Sequence, residues 1–136
     1  MKVGDTIYVG RSARTNSEGI RQLRTLLRPL GARVIAVPVT TVLHLKTAVT
    51  ALPDGTVIGY LPHVAEPGLF PHFMAVPEPS GAHVIILDDN SVLMAASAPQ
   101  TRTLIESLGY RVVTVDISEF EKLEGCVTCL SIRIRG

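Results

Sequence analysis

The chain has 136 residues, of which 46% are hydrophobic and 18% charged, a composition that excludes a disordered protein and fits one globular domain. Its formal net charge of +1 gives no electrostatic case for binding nucleic acid or an anionic membrane, so the expected partner is a small molecule or another protein. No apolar run reaches the ~18 residues of a membrane span, and the first residues lack the apolar stretch of a signal peptide, which predicts a cytoplasmic location.

The first forty residues predict a strand, a helix and a second strand. Residues 5–9 are rich in β-forming side chains, and residues 33–37 repeat that composition. Between them, apolar residues spaced along one helical face predict a helix that Asn16 or Ser17 caps and Gly31 ends. The members of this apolar face are Ile20, Leu23, Leu27 and Leu30.

The remainder of the chain predicts a similar order of elements. Residues 56–61 predict a strand, and residues 61–73, with three prolines, predict a loop without further organisation. A β-hairpin follows, with residues 84–87 and 91–94 as its strands and an Asp-Asp-Asn turn between them. A helix from Pro99 to Gly109 and a strand over residues 111–115 then repeat the earlier helix-strand order.

An internal repeat accompanies this order. Residues 23–52 align with residues 101–130 without a gap, and about 12 of 30 positions are identical where unrelated sequences would share about 2. In this alignment His44 falls opposite Lys122, and Cys129 falls opposite Ala51. The chain therefore resembles copies of one supersecondary unit, with these two residues in equivalent stretches of two copies.

The segment 119–134 predicts a strand that carries two cysteines. With a period of two, Thr128, Leu130, Ile132 and Ile134 would face the core, while Cys129 would lie on the more polar face and Cys126 on the opposite one. Three interpretations of the Cys-Val-Thr-Cys sequence stay open. The thiols could be buried core residues, they could form a redox or zinc site, or Cys129 alone could be a nucleophile. The opposite faces argue against the redox or zinc interpretation, because such pairs are normally held in a turn.

His44 is the candidate proton carrier for a thiol nucleophile, since it lies at a junction between repeats, although a lone histidine is more often a surface or hydrogen-bonded core residue. The other histidines, His63, His72 and His83, lack ligand spacing and are predicted to be surface residues, so no metal is expected. Arg14 lies in a loop between a strand and a helix, where a guanidinium could clamp a carboxylate or simply be solvated.

Motifs in the chain give a more specific prediction. Four motifs, distributed over nearly the whole length of the chain, resemble the second half of the dimethylarginine dimethylaminohydrolases of the guanidino-modifying superfamily. They are VGDTIYVGRSARTNSEGI, VLHLKTAVTAL, TRTLIESLGYRVVTVD and SEFEKLEGCVTCLSIRI. The resemblance implies an α/β pentein fold, a ring of five ββαβ repeats, in which residues 1–136 form a single partial domain with somewhat over half of the ring. No cofactor is implied.

The resemblance also implies roles for individual residues. Cys129 would be the nucleophile and His44 the proton carrier in hydrolysis of Nω-methylated arginine to citrulline and methylamine or dimethylamine. Arg14 would hold the substrate's α-carboxylate, and the main-chain carbonyl of Leu123 would meet its α-amine. The family's chains are roughly twice this length, and an E-x-G-D motif with a guanidinium-binding glutamate would precede Met1.

Two alternatives accompany this prediction. The chain could be a truncated or split half-protein, inactive until self-association or a partner chain supplies the amino-terminal half. It could instead be a related arginine deiminase or amidinotransferase, since these enzymes share the superfamily.

Overall fold

The computed structural model describes residues 1–134 and contains nine strands and four α-helices in that range. The elements are β1 (Lys2–Val3), β2 (Thr6–Arg11), α1 (Ser17–Leu27), β3 (Arg33–Pro38), α2 (Leu45–Ala48), β4 (Val49–Ala51), β5 (Val57–Gly59), β6 (Phe73–Ala75), β7 (Val84–Asp88), β8 (Ser91–Ala95), α3 (Pro99–Ser107), β9 (Arg111–Val115) and α4 (Ser118–Glu121). No helix in this range is long and apolar enough to cross a membrane.

The strands form three separate sheets of the same design. Each sheet has three strands in sequence order, β1-β2-β3, β4-β5-β6 and β7-β8-β9. In each, the first strand is antiparallel to the middle strand and the third strand is parallel to it. A parallel pair needs a crossover, which α1 and α3 provide in the first and third units. The ββαβ arrangement of the pentein prediction is thus confirmed.

Local sequence explains the first crossover well. The Asn16 side chain accepts a hydrogen bond of 2.8 Å from the Gly19 N–H, so it satisfies one of the free donors at the start of α1. After α1 a short 3₁₀ turn ends at Gly31, whose φ of 73° lies in the left-handed region that glycine adopts without strain. Ile20 is buried, whereas Leu30 lies in the 3₁₀ turn and is exposed.

The third crossover takes its cap from a distant residue. Pro99 occupies the first turn of α3, and the preceding Ala98 has no side-chain acceptor. The Glu78 carboxylate instead accepts hydrogen bonds from the N–H groups of Gln100 and Thr101, at 3.2 and 2.7 Å. The segment that leads into the hairpin is therefore fastened to the helix that follows the hairpin.

The second unit has no long crossover helix. Two 3₁₀ turns, Leu61–His63 and Pro67–Leu69, occupy the proline-rich segment, and β6 follows. Val64 and Phe70 are buried within it. The loop prediction for residues 61–73 therefore misses the 3₁₀ turns of this segment and the strand at its end, because the three prolines argue against regular structure.

The hydrophobic core lies mainly between neighbouring units. Tyr8 and Val37 of the first unit pack in one cluster with Val49, Val57 and Phe70 of the second. A second cluster joins the second unit to the third, and its members include Leu52, Ile58, Val84, Val92 and Ile105. Each unit thus buries its apolar face against the next one.

The predicted strand over residues 119–134 is wrong. The segment contains α4 and then turns, and within the described chain no strand pairs with it. Leu130, Ile132 and Ile134, the predicted core face, are 46%, 93% and 92% exposed. Alternation alone does not make a strand, because its backbone groups need a partner. The aligned β4 has such a partner in β5, whereas residues 126–130 close a helical turn on themselves.

Candidate active site

His44 lies at the junction between the first and second units. It immediately precedes α2, and its carbonyl oxygen accepts a hydrogen bond of 3.0 Å from the Thr47 N–H. Leu45 and Ala48 are buried and anchor the short helix, whereas His44 itself is exposed. The fold therefore fixes the main chain of His44 and leaves its imidazole available to a ligand or to a proton.

Cys129 lies in a single helical turn with Cys126. The Cys126 carbonyl oxygen accepts hydrogen bonds from the N–H groups of Cys129 and Leu130, at 2.9 and 3.1 Å. Cys126 is buried and Cys129 is exposed, and their sulfur atoms are 3.1 Å apart. The prediction that the two thiols face opposite ways is wrong, because a turn, unlike a strand, brings side chains three residues apart to one side.

This pairing affects the ionisation of Cys129. The hydrogen bond with the Cys126 thiol raises the pKa of the Cys129 thiol above its ordinary value, and partial burial raises it further. A hydrogen bond from the main chain of Cys126 to the Cys129 thiol and a hydrogen bond with the Thr128 hydroxyl act in the opposite direction and lower this pKa. The resting thiol is therefore protonated at neutral pH, and a nucleophilic role requires something that favours the thiolate.

Leu123 lies two residues after the end of α4 and is 88% exposed. The Gly125 and Glu124 N–H groups donate to the carbonyls of Phe120 and Glu121, at 2.9 and 3.0 Å, which is the hydrogen-bond pattern of a Schellman cap. Glu124 occupies the left-handed position of this cap, with φ of 59°. Among residues 1–134 no hydrogen bond is made to the Leu123 carbonyl oxygen, so it can accept one from a ligand.

Two cavities bring the His44 junction and the carboxy-terminal segment together. A cavity of about 400 Å³ is lined by residues just before His44, including Leu43, and by residues beside Leu123, including Glu124 and Gly125. A second cavity of about 230 Å³ is lined by Lys46, just after His44, and by Thr128 beside Cys129. The predicted catalytic residues themselves line neither cavity, and their immediate neighbours do.

Arg14 is placed apart from these residues. It lies in the loop between β2 and α1, where its main-chain N–H donates to the Ser12 hydroxyl at 3.2 Å and its side chain is exposed. It lines neither of the two cavities. Likewise, within the described residues, no hydrogen bond joins the His44 ring to Cys129.

His83 is the residue whose environment differs most from its prediction. It was expected at the surface, but it is only 9% exposed, because the segment before β7 carries it into the junction between the second and third units. Its Nε2 lies 2.8 Å from the carbonyl oxygen of Thr47, in the helix that His44 precedes. Burial lowers the pKa of His83 below its ordinary value. The ring also lines the larger cavity.

Across residues 1–134, no group of three or more histidine, cysteine, aspartate or glutamate side chains is arranged to hold a metal ion. The chemistry that the described side chains can support is therefore that of an exposed thiol, an exposed imidazole and an accepting carbonyl near two cavities.

Comparison with protein-family models finds no match. Individual proteins do match. The chain is 65% identical over 135 residues to the N(G),N(G)-dimethylarginine dimethylaminohydrolase of Streptomyces coelicolor, an alignment that covers 99% of this chain and 52% of that protein. It superimposes with a TM-score of 0.84 and 38% identity on the Pseudomonas aeruginosa enzyme, a cysteine-to-serine mutant complexed with citrulline, and covers 98% of this chain and 53% of that one.

By these comparisons the chain is similar to dimethylarginine dimethylaminohydrolases. It spans about half the length of the relatives that it matches. The predicted resemblance to dimethylarginine dimethylaminohydrolases is thereby confirmed. SxtG, an amidinotransferase from Microseira wollei, superimposes with a TM-score of 0.81 over 98% of this chain and 43% of its own, and at 17% identity that likeness concerns the fold alone.

The sequence alone does not predict two features of this chain, the contact between the two thiols and the burial of His83. A signal for the first is present, since a Cys-x-x-Cys sequence is itself typical of a turn. Gly125 adds to it, because a Cβ atom there would lie 2.8 Å from the Phe120 carbonyl oxygen. For His83 we find no comparable signal.

Proposed function

We propose that this chain carries the thiol and the imidazole of a hydrolase that converts Nω-methylated arginine into citrulline and methylamine or dimethylamine. The observation that carries the proposal is the 65% identity, over 99% of the chain, to the S. coelicolor dimethylarginine dimethylaminohydrolase. The citrulline complex of the P. aeruginosa relative is consistent with it, since citrulline is the product of this reaction. The partner is accordingly a small guanidino compound.

In the proposed reaction the Cys129 thiolate attacks the guanidinium carbon, and a C–S bond forms. His44 gives a proton to the departing dimethylamine as the C–N bond breaks, which leaves an S-alkylthiouronium intermediate. His44 then takes a proton from water, whose oxygen attacks the same carbon. The C–S bond breaks, citrulline leaves and the thiolate is regenerated. The exposure of both side chains is compatible with these roles.

The raised pKa of Cys129 is compatible with this chemistry when the substrate is a cation. A guanidinium beside the thiol stabilises the thiolate electrostatically and so offsets the effect of Cys126. The positive charge of the substrate's guanidinium would therefore also favour the thiolate form of Cys129. Free Cys129 would then react slowly with other electrophiles at neutral pH.

Arg14 and Leu123 are proposed to hold the amino-acid end of the substrate. The exposed Arg14 guanidinium can pair in a bidentate manner with the α-carboxylate. The Leu123 carbonyl can accept from the α-ammonium, because no other group of residues 1–134 occupies it. The left-handed φ of Glu124 directs the main chain at this point, and strained backbone of this kind often occurs at ligand sites.

The test is turnover of dimethylarginine by the chain, followed as release of citrulline and dimethylamine in equal amounts. Cys129→Ser and His44→Gln are expected to abolish it, and His72→Gln is the matched control because His72 is exposed and lines neither cavity. Turnover of arginine in a parallel reaction distinguishes a deiminase. Undiminished release by Cys129→Ser would contradict the nucleophile assignment.

The chain spans about half the length of the S. coelicolor relative, so the test includes one further experiment. If the chain alone is silent, it is mixed with a chain that comprises the remaining half of the S. coelicolor relative. Activity that appears on mixing and is lost with Cys129→Ser supports the residue roles and shows that the missing half is required. Silence in both arms contradicts the proposed function for this chain.

A further inference from the structure

The two thiols of the chain are close enough to react with each other. The Sγ atoms of Cys126 and Cys129 are 3.1 Å apart, whereas the S–S distance in a disulfide is about 2.05 Å. The sulfurs therefore need to approach by roughly 1 Å, a displacement that side-chain rotation supplies. The two hydrogen bonds to the Cys126 carbonyl hold the turn that creates this proximity.

The environments of the two thiols differ in a way that sets an order of reaction. Cys126 is 2% exposed, and its sulfur also lies 3.1 Å from the Thr128 hydroxyl. Next to it, Val127 is buried against Ala95 and Ile117, so the inner side of the turn is fixed to the third unit. Cys129 is exposed. A dissolved oxidant therefore meets Cys129 first and finds Cys126 directly behind it.

We propose that Cys126 and Cys129 are an oxidisable dithiol that a peroxide converts reversibly into an intramolecular disulfide. In the first step the Cys129 thiolate attacks hydrogen peroxide; an S–O bond forms, the O–O bond breaks and hydroxide leaves, which gives a sulfenic acid. In the second step Cys126 loses its proton and attacks the Cys129 sulfur; the S–S bond forms and the S–O bond breaks. The two sulfurs together lose two electrons, and one peroxide becomes two waters.

The disulfide has consequences for the site. It protects Cys129 from further oxidation to the irreversible sulfinic acid, because Cys126 consumes the sulfenic acid as soon as it forms. Where Cys129 is the nucleophile, as the proposed function has it, the disulfide also stops turnover until a thiol reduces it. The oxidation itself goes beyond that function and does not depend on it. Only the thiolate attacks peroxide, so oxidation becomes faster as pH rises and the thiolate fraction grows. Because the pKa of Cys129 is raised, this acceleration continues to a higher pH than for an ordinary thiol.

The test uses the complete chain and hydrogen peroxide. After exposure, remaining thiols are alkylated in denaturant and the protein is digested with trypsin, which cleaves after Lys122 and Arg133 and leaves both cysteines in one peptide. The expected peptide is lighter than the reduced one by two hydrogen atoms and carries no alkyl group. Prior treatment with dithiothreitol is expected to restore both alkylation sites. This result needs no variant.

Two variants sharpen the test. In Cys126→Ala the same peroxide treatment is expected to give sulfinic acid at Cys129, which dithiothreitol does not reverse. Ser131→Ala, in the same segment and with both thiols kept, is the control and is expected to behave as the unmodified chain. A wild-type peptide with sulfinic acid at Cys129 and an alkylated Cys126, or a disulfide between two chains, overturns the proposal. A disulfide in a chain that stays without hydrolase activity even when mixed with the remaining half of the S. coelicolor relative overturns only the proposed function.

Discussion

At the scale of single residues, His83 connects two elements of the second and third units. Its Nε2–H donates to the Thr47 carbonyl oxygen at 2.8 Å, at the end of the helix that follows His44. Burial is the largest influence on its pKa and lowers it; the bond to Thr47 and the charge of Glu121 oppose this effect, and His63 adds to it. His83 is therefore neutral in the folded chain under conditions where an exposed histidine is partly protonated.

The buried His83 makes stability depend on pH. Its folded pKa is lower than its unfolded pKa, so the unfolded chain binds more protons as pH falls below about 6.5. The contribution of His83 to the free energy of unfolding should therefore be complete above that pH. Below it, the free energy of unfolding should decrease with pH until the folded pKa is reached. We expect His83→Asn, which does not titrate, to reduce this decrease, as measured by urea denaturation over a pH series.

The control for this prediction is His72→Asn. His72 is exposed, so the same substitution there removes a histidine without removing a buried ring. If His83→Asn and the unmodified chain lose stability equally towards acid pH, the neutral state of His83 does not contribute to stability.

Individual site residues differ in how far the sequence predicts them. The repeat places His44 at a junction between units, whereas the sequence does not predict the short helix α2 that follows it. The exposure of Cys129 agrees with its place on the more polar side of the pattern, although a turn and not a strand produces it. Contacts such as that between the two sulfurs depend on backbone torsions in residues 125–130, which local composition does not determine.

At the scale of elements, the end of α4 contains a residue in an unfavourable conformation. Glu124 has φ of 59° in a Schellman cap, a position that normally carries glycine. A non-glycine residue in the left-handed region costs about 1–2 kcal/mol. Glycine removes this cost, but it also makes the unfolded chain more flexible, and that entropy offsets part of the gain. We therefore expect Glu124→Gly to raise the free energy of unfolding by roughly 1 kcal/mol, measured from the urea denaturation midpoint.

Glu124→Ala separates conformation from charge. Alanine removes the carboxylate but keeps a Cβ atom, so it should not give the stabilisation that glycine gives. Equal stabilisation by both variants would attribute the effect to the charge of Glu124 and contradict the strain argument. Loss of citrulline release by Glu124→Gly, with a gain in stability, would in turn connect the strain to the neighbouring Leu123 carbonyl.

The elements that the sequence predicts well are those whose signals are local. Asn16 and Gly31 bound α1 with its short 3₁₀ extension, and the Asp-Asp-Asn turn defines the β7–β8 hairpin. The prediction fails for β6 and for residues 119–134, because strand formation depends on a partner. β6 exists because β5 pairs with it in parallel, and the alternating residues 127–134 have no such partner in the described chain.

At the scale of the whole molecule, three small sheets depend on the contacts between them. Each has only three strands, all the strands of the second sheet are three residues long, and the main clusters of buried side chains lie between units. An isolated unit of this size would leave an apolar face in water. The position of the His44 junction relative to the carboxy-terminal turn is consequently set by how the second unit packs on its neighbours.

Thr50 is the polar counterpart of this packing between the second and third units. Its hydroxyl donates to the Ala82 carbonyl oxygen at 2.6 Å and accepts from the Val84 N–H at 3.0 Å. All three residues are buried. The hydroxyl therefore satisfies two main-chain groups at the start of β7 that belong to the neighbouring unit.

Thr50→Val replaces this hydroxyl with a methyl group of similar volume and leaves both main-chain groups without a partner. Since each buried unsatisfied group costs about 1–3 kcal/mol, we expect the free energy of unfolding to fall by about 2–4 kcal/mol, with an unchanged urea m-value. Thr50→Ser keeps the hydroxyl and should lose only about 1 kcal/mol for the missing methyl group. If both variants are equally stable, apolar packing alone fixes the junction. If valine alone destabilises the chain, the hydrogen bonds through Thr50 hold β4 against β7, and with them the cavity that Lys46, Thr50 and Thr128 line.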